Sequence, residues 1–303
     1  MRRKIDDERL MLRVGDMYYN AGMGQVEIAN QLKLSRPTIA RLLVAARERG
    51  IVKIIVENVN GRNDFELEQQ LVQRFNLRDA IVLPSRDAEH KQIEQIGIGA
   101  ASFIKRILRE GDVVGVSSGA VLGRIARNIQ TTHYRNLTFV AMQGGEQDTP
   151  ADEQANALCA MLSSSIGGDA LPLLAPYKVN SLAAREAILS QSIVMDALKK
   201  TREMQIALCT IQPPPAALEE KGARAMVCGW ALGENGQRLH ECNADIIGVD
   251  IDLLRQVPYA IGIAMGVSSA PAVVAALKDT YLGVLLLDAA CAKAVLQLMD
   301  EGA

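Results

Sequence analysis

The residues in this 303-residue sequence best placed to do chemistry are two arginines and three glycine-rich segments. Arg36 and Arg41 flank Pro37 and Thr38 directly behind Ser35. A guanidinium is a planar fork of donors that matches the two acceptors on a guanine edge, and a threonine hydroxyl reaches a base edge or a phosphate. The glycine-rich segments each follow an apolar run: Gly115-Val116-Ser117-Ser118-Gly119, Met142-Gln143-Gly144-Gly145 and Ala264-Met265-Gly266-Val267-Ser268-Ser269. Two of them lead into a helical pattern, where free backbone N–H groups attract an anion. One such loop is commonplace, because any strand-to-helix turn needs small residues. Three on one sheet edge point to a small-molecule cleft, with Ser117, Ser118, Gly119, Gln143, Gly144, Gly145, Lys178, Gly266, Ser268 and Ser269 as its candidates. Arg185 lies close by, though a solvated helix face explains it equally well.

Other chemistries lack their residues. The five cysteines (Cys159, Cys209, Cys228, Cys242, Cys291) are odd in number and widely spaced. They fit neither a disulfide framework nor zinc spacing, and read as small core residues of a reduced, cytoplasmic protein. His90, His133 and His240 stand far apart with no acid or cysteine pattern around them. Asp245, Asp250 and Asp252 cluster, but Asp250 reads as a helix cap. Walker, HExxH, Gly-x-Ser-x-Gly and dinucleotide fingerprints are missing, so no catalytic set, metal or cofactor is expected. No run of eighteen apolar residues indicates a membrane span, and the basic start runs into acids instead of an apolar stretch, so no secretory signal is expected.

The elements that must carry Arg36 and Arg41 are helical. Leu10, Met11, Val14, Met17 and Tyr18 predict an amphipathic helix over about 7–20, ended by Ala21-Gly22-Met23-Gly24. A short helix over Gln25–Leu32 and a turn at Lys33-Leu34 follow. Ser35 then caps a third helix, with Pro37 tolerated in its first turn, running to about Arg49. Ile39, Leu42, Leu43 and Ala46 form its inward stripe, leaving Arg36, Pro37, Ala40, Arg41 and Val44 facing away. Two short helices with the second presenting Arg and small residues are the arrangement that enters a major groove. A solvated basic face on a plain three-helix bundle is the alternative, and the spacing from Gln25 through Arg41 argues against it. The β-branched run Ile51–Val56 predicts a strand or wing, with Lys53 on backbone phosphate. Charge agrees weakly: the first sixty residues hold eleven Lys/Arg against seven acids, although the whole chain carries −2.

Beyond a loop at Asn60-Gly61-Arg62-Asn63, Asp64 is expected to cap a helix to about Asn76, whose stripe of Leu67, Leu71, Val72 and Phe75 packs on the body or on another subunit. From Ala80 onward, continuous apolar runs (81–83, 113–116, 137–140, 206–209, 260–264, 284–287) alternate with helical patterns near 90–109, 119–130, 152–165, 181–200, 270–278 and 289–299. That order means a parallel sheet covered on both faces. Pro213-Pro214-Pro215 marks a surface loop.

The segments Tyr18–Met23, Gln25–Ala29, Leu34–Leu43 and Gly50–Ile54 resemble the start of the SorC family of sugar-sensing bacterial regulators. The resemblance continues through Gly115–Gly119, Gln143-Gly144-Gly145, Pro176-Tyr177-Lys178, Gly229 with Gly236, and the closing Ala275–Lys278 with Tyr281 and Asp288. It implies an α/β protein with an N-terminal winged helix-turn-helix (1–58), a linker helix (59–78) and a Rossmann-like effector domain (79–303) akin to sugar-phosphate isomerases and coenzyme A transferases. It also implies a sequence-specific transcription regulator that is a dimer or tetramer. Its partners would be operator DNA, read by Gln25, Ser35, Arg36, Pro37, Thr38, Arg41 and Lys53, and a sugar, sugar phosphate or other metabolite.

Three positions depart from that family. Val121 stands for a phosphate-capping Thr, Met226 for an acid that binds sugar hydroxyls, and Ser269 for a phosphate-binding Lys. These departures argue against a phosphorylated sugar, leaving a less charged or more apolar metabolite, or a sensing role that has decayed. The competing class is an isomerase-like enzyme with an appended DNA-binding head.

Overall fold

The structure is a computed structural model that describes residues 2–52, 64–129, 134 and 136–301. It divides into two compact units, residues 1–59 and 60–303.

In the first unit, α1 (Arg2–Gly15) runs into a wider π-helical turn at Asp16–Asn20, and Gly22, at φ +67°, takes the chain out of it. Helices α2 (Gln25–Leu32) and α3 (Arg36–Glu48) follow at their expected places. Between them Lys33 sits at φ 53°, a left-handed conformation that non-glycine residues adopt singly at tight turns. Val14, Met17, Ile28, Ala29, Ile39 and Leu43 form one small core. Ile51 and Val52 lie in a bend beyond α3. The expected wing over 53–56, Lys53 included, lies outside the described residues.

In the second unit α4 (Phe65–Phe75) leads to β1 (Asp79–Leu83), α5 (Glu89–Ile107), β2 (Val113–Val116), α6 (Ala120–Asn128), β3 (Thr138–Ala141), α7 (Ala155–Ile166) and β4 (Asp169–Leu171). Then come α8 (Leu182–Leu189), α9 (Ser192–Lys200), β5 (Met204–Gln212) and the short α10 (Ala216–Glu219). The chain closes with β6 (Ala225–Val227), β7 (Trp230–Leu232), α11 (His240–Asn243), β8 (Tyr259–Ile263), α12 (Ala270–Leu277), β9 (Val284–Asp288) and α13 (Ala289–Glu301).

The main sheet is parallel throughout, in the order β1-β9-β8-β5-β2-β3-β4. Successive strand residues feed opposite cores: Ile206 and Leu208 join one, Ala207, Cys209 and Ile211 the other. That two-sided burial is why the strands read as unbroken apolar runs. From β2 the chain winds outward through β3 to β4, whereas from β5 it winds the other way through β8 to β9. The order therefore reverses between β2 and β5, the place where open α/β sheets open a crevice. An antiparallel hairpin, β6 with β7, continues from the far end of β5 through Ile211↔Val227 and Gln212↔Met226.

The α4 stripe packs on this second unit, with Leu71 fully buried and Leu67, Val72 and Phe75 against the same core. Burying one such leucine contributes roughly 2 kcal/mol. Asp64 does not cap α4 through its side chain, contrary to expectation. Instead its backbone N–H reaches the Val82 carbonyl at 3.4 Å, while Glu68 Oε1 accepts the Val82 N–H at 2.9 Å.

Candidate functional site

The candidate residues fall on two surfaces, one in each unit. On the first, Ser35 caps α3 by accepting the Thr38 N–H, with Pro37 in the first helical turn. Ile39, Leu43 and Ala46 are buried, so the face holding Arg36, Pro37 and Arg41 is turned to solvent. Thr38 and Ala40 are half-buried beside it, and Val44 is 44% exposed. Gln25, at the first turn of α2, is half-buried. A capped helix with two exposed guanidinium groups in its first two turns has what base-edge contact in a groove needs.

On the second unit, a cleft of about 720 Å³ opens beyond the carboxyl ends of β2, β3 and β5. Ser118, Gly119, Gln143, Gly145 and Lys178 line it. Ser117 is buried one layer beneath. Its hydroxyl accepts the Thr210 N–H at 3.1 Å, which ties β2 to β5, and Thr210 Oγ1 donates to the Ser118 carbonyl at 3.1 Å. Ser118 Oγ accepts the Ala155 N–H at 3.1 Å and so satisfies the start of α7. Gly119 has φ +145°, and a Cβ there would lie 2.7 Å from Thr210 Cγ2. Gly144 does not line the cleft but makes its bend possible, since a Cβ would fall 2.5 Å from the Ala175 carbonyl oxygen.

The cleft also holds an acid that its sequence neighbourhood does not single out. Glu146 directly follows Gln143-Gly144-Gly145, and its Oε1 accepts from Gln143 Nε2 at 2.7 Å. Gln143 in turn accepts the Ser118 N–H at 3.3 Å, and the Thr149 hydroxyl donates to Glu146 Oε2. Asp148, Glu153, Thr210 and Gln212 also line the cleft. Tyr177 forms part of the wall, its hydroxyl donating to the Gly229 carbonyl. Burial, then the charges of Glu146 and Asp245, push that phenol well above its ordinary pKa, so it stays a donor. Met226 and Cys228 of the hairpin segment supply apolar wall.

The third glycine-rich segment does not join this cleft. The Gly266 N–H is held by Asp288 Oδ2 at 2.6 Å, and Ser269 is buried with its hydroxyl on the Met265 carbonyl at 2.8 Å. Ser268 is exposed. Asp288 Oδ1 also accepts from Ser85 Oγ and from the Ala290 and Cys291 N–H groups, so this loop is fastened to the ends of β9 and β1. Arg185 lines a separate cavity of about 550 Å³, where its Nε donates to the Ile246 carbonyl at 2.8 Å. Asp250 caps the short helix at Ile251–Gln256 as expected. Among the described residues no group of three or more His, Cys, Asp or Glu could hold a metal, and no described helix is long and apolar enough to cross a membrane.

The Sugar-bind family model, which describes a sugar-binding domain, matches residues 60–213 and 214–297. The chain is 26% identical over 312 residues to the sorbitol operon regulator of Klebsiella pneumoniae, covering 96% of this chain and 99% of that protein. It is 29% identical over 317 residues to the transcriptional regulator LsrR of Klebsiella pneumoniae subsp. pneumoniae, covering 97% and 94%. The crystal structure of full-length SorC from Klebsiella pneumoniae matches with a TM-score of 0.73 at 25% identity, over 96% of this chain and 99% of that one. These relatives are named as regulators, not as enzymes.

Proposed function

Since this chain belongs to the SorC family of transcription regulators, with its sugar-binding domain over residues 60–297, we propose that α3 reads operator DNA and that the cleft beyond β2, β3 and β5 holds the effector. The carrying observation is the pairing of two features. One is a Ser35-capped helix with Arg36 and Arg41 exposed at the surface. The other is a polar cleft at the point where strand order reverses.

Gln25, Ser35, Pro37 and Thr38 set the docking of α3, Arg36 and Arg41 meet bases or phosphates, and Lys53 takes a backbone phosphate. The effector lies against Ser118, Gly119, Gln143, Gly145 and Lys178, over the layer formed by Ser117 and Gly144. It acts by population shift, binding the DNA-competent and incompetent forms unequally. The protein works in the cytoplasm as a symmetric homo-oligomer, a dimer or tetramer. Paired heads read half-sites roughly 34 Å apart or a multiple of it.

Band-shift titration of promoter DNA with Arg36→Ala and Arg41→Ala tests the reading. Each variant should weaken specific binding by about tenfold to a hundredfold. Wild-type affinity in both would remove α3 as the reader.

A further inference from the structure

The cavity that Arg185 lines, about 550 Å³, lies between α8–α9 and the segment from Gly248 to Gln256, and shares no lining residue with the effector cleft. Its size is that of a small-molecule pocket, roughly 300–1,000 Å³. Its charge sets it apart. Asp250 and Asp252 line it, but both are already matched from outside. Arg238 Nη1 donates to Asp250 Oδ1 and Nη2 to Asp252 Oδ2, each at 2.9 Å, and Arg255 Nε reaches Asp252 Oδ1 at 3.3 Å.

The two arginines that line the cavity are Arg185 and Arg202, and among the described residues no carboxylate pairs with either. Arg185 is half-buried, and its Nε donates to the Ile246 carbonyl at 2.8 Å, a bond that holds the plane of the guanidinium. Its two terminal nitrogens have no acceptor among the described residues. Arg202 sits in the turn after α9, exposed and with no hydrogen bond or ion pair among the described residues. Glu203 beside it is taken by Lys200 at 2.7 Å. A guanidinium stays charged at any working pH. Two of them unmatched at one concavity focus positive potential there. Leu189, Leu198 and Leu253 give the same cavity an apolar wall.

We propose that this cavity is a second ligand site, separate from the effector cleft, for a small organic anion. Its carboxylate or phosphate group is taken by Arg185 and Arg202, and its carbon body lies on the three leucines. A planar fork of donors meets two oxygens of either group at once. A neutral ligand would leave both guanidinium groups unmatched, and a cation would be repelled. The site is independent of what the cleft holds.

The test uses the full-length protein and thermal unfolding. The probes are benzoate, hexanoate and phenyl phosphate, with benzamide as neutral counterpart and inorganic phosphate as bare anion. At a hundredfold excess over Kd a bound organic anion should raise Tm by about 5 °C, and benzamide should leave it unchanged. A larger shift from benzoate and hexanoate assigns a carboxylate ligand, and a larger shift from phenyl phosphate assigns a phosphate. Inorganic phosphate should do less than phenyl phosphate, having no body to lay on the leucines.

Arg202→Gln should weaken the bound anion at least about tenfold while leaving the ligand-free Tm close to wild type. That loss separates a bound anion from the general stabilisation that excluded anions give. Added neutral salt should weaken binding too, as charge pairing at a half-open site requires. The variant Met226→Trp, which fills the cleft, should leave the shift intact. The site is overturned if no organic anion raises Tm, if benzamide matches benzoate, or if inorganic phosphate matches phenyl phosphate. It is overturned equally by a shift that survives Arg202→Gln, or by one lost in Met226→Trp, which would put the anion in the cleft.

Discussion

Ser35 Oγ and Thr38 Oγ1 lie 2.8 Å apart, and the same Ser35 oxygen accepts the Thr38 N–H at 3.3 Å. One serine thus both starts α3 and fixes the rotamer of a hydroxyl proposed to face DNA. Ser35→Ala should cost about 1 kcal/mol of helix stability. Amide exchange at Thr38 and Ile39 would quicken, and operator affinity would fall with it. Unchanged protection at Thr38 would show that the cap contributes nothing.

Gly144 and Gly145 are neighbours with opposite tolerances. A Cβ on Gly144 would stand 2.5–2.6 Å from the backbone of Ala175 and Pro176, whereas one on Gly145 meets Gln154 Oε1 at 3.3 Å. Gly144→Ala should therefore lower stability by roughly 1–3 kcal/mol in urea titration. Gly145→Ala should stay nearer wild type, because a side-chain end can move aside. Equal losses in the two would contradict the close backbone approach at Gly144.

Asp279 carries the pH dependence that is easiest to assign. Arg255 donates to its Oδ1 at 2.5 Å and holds its pKa below the ordinary carboxylate value. A depressed carboxylate contributes stability above its unfolded pKa, near 4, and loses it as pH falls through the lower folded value. The pair is partly solvent-exposed, so the contribution is at most about 1 kcal/mol. Comparing Asp279→Asn with wild type, the stability gap should be constant above about pH 5 and close below about pH 4. A gap that persists into acid would rule out the ion pair as its source.

The cysteines should be silent to alkylation in the folded protein. All five are buried, and burial pushes the Cys159, Cys209 and Cys291 thiols upward, Cys291 to about 12. Since the thiolate is the nucleophile, reaction at neutral pH should be negligible until the protein is unfolded. Rapid labelling of Cys291 under native conditions would contradict its burial.

How much of this was legible depended on where each element sits. Strands buried on both faces, such as β2 and β9, announce themselves as continuous apolar runs. The edge strand β4 has three residues, two of them exposed, and gives no such run. The hairpin strands β6 and β7 are equally short. The helix expected over 181–200 is two, α8 and α9, because Gln191 turns extended, at φ −70° and ψ 132°, between them; its apolar pattern does not reveal the break. That Ser118, Gly119, Gln143 and Gly145 line one cleft is legible because small and polar residues at strand ends stand out in one dimension. Gly266, Ser268 and Ser269 carry the same signature, but it is Asp288 that decides where their loop goes. Glu146 was missed although it adjoins a recognised loop, since its role comes from Gln143 and Thr149 closing around it. Thr210 and Gln212 extend an apolar run in alternation, a cue hidden by the buried residues before them.

Strand β5 belongs to two pairings at once: parallel to β2 and β8 along its length, antiparallel to β6 at its end. Its alternation sends Thr210 and Gln212 into the cleft and Ile211 into the core. A slip of one residue would exchange them, replacing Thr210 and Gln212 by Ile211 with Cys209 or Pro213. The hairpin makes that slip costly, since it would have to be dragged along with the strand. The polarity of the cleft is therefore partly a matter of counting: the hydrogen-bond ladder acts as a ratchet that keeps Thr210 and Gln212 facing it.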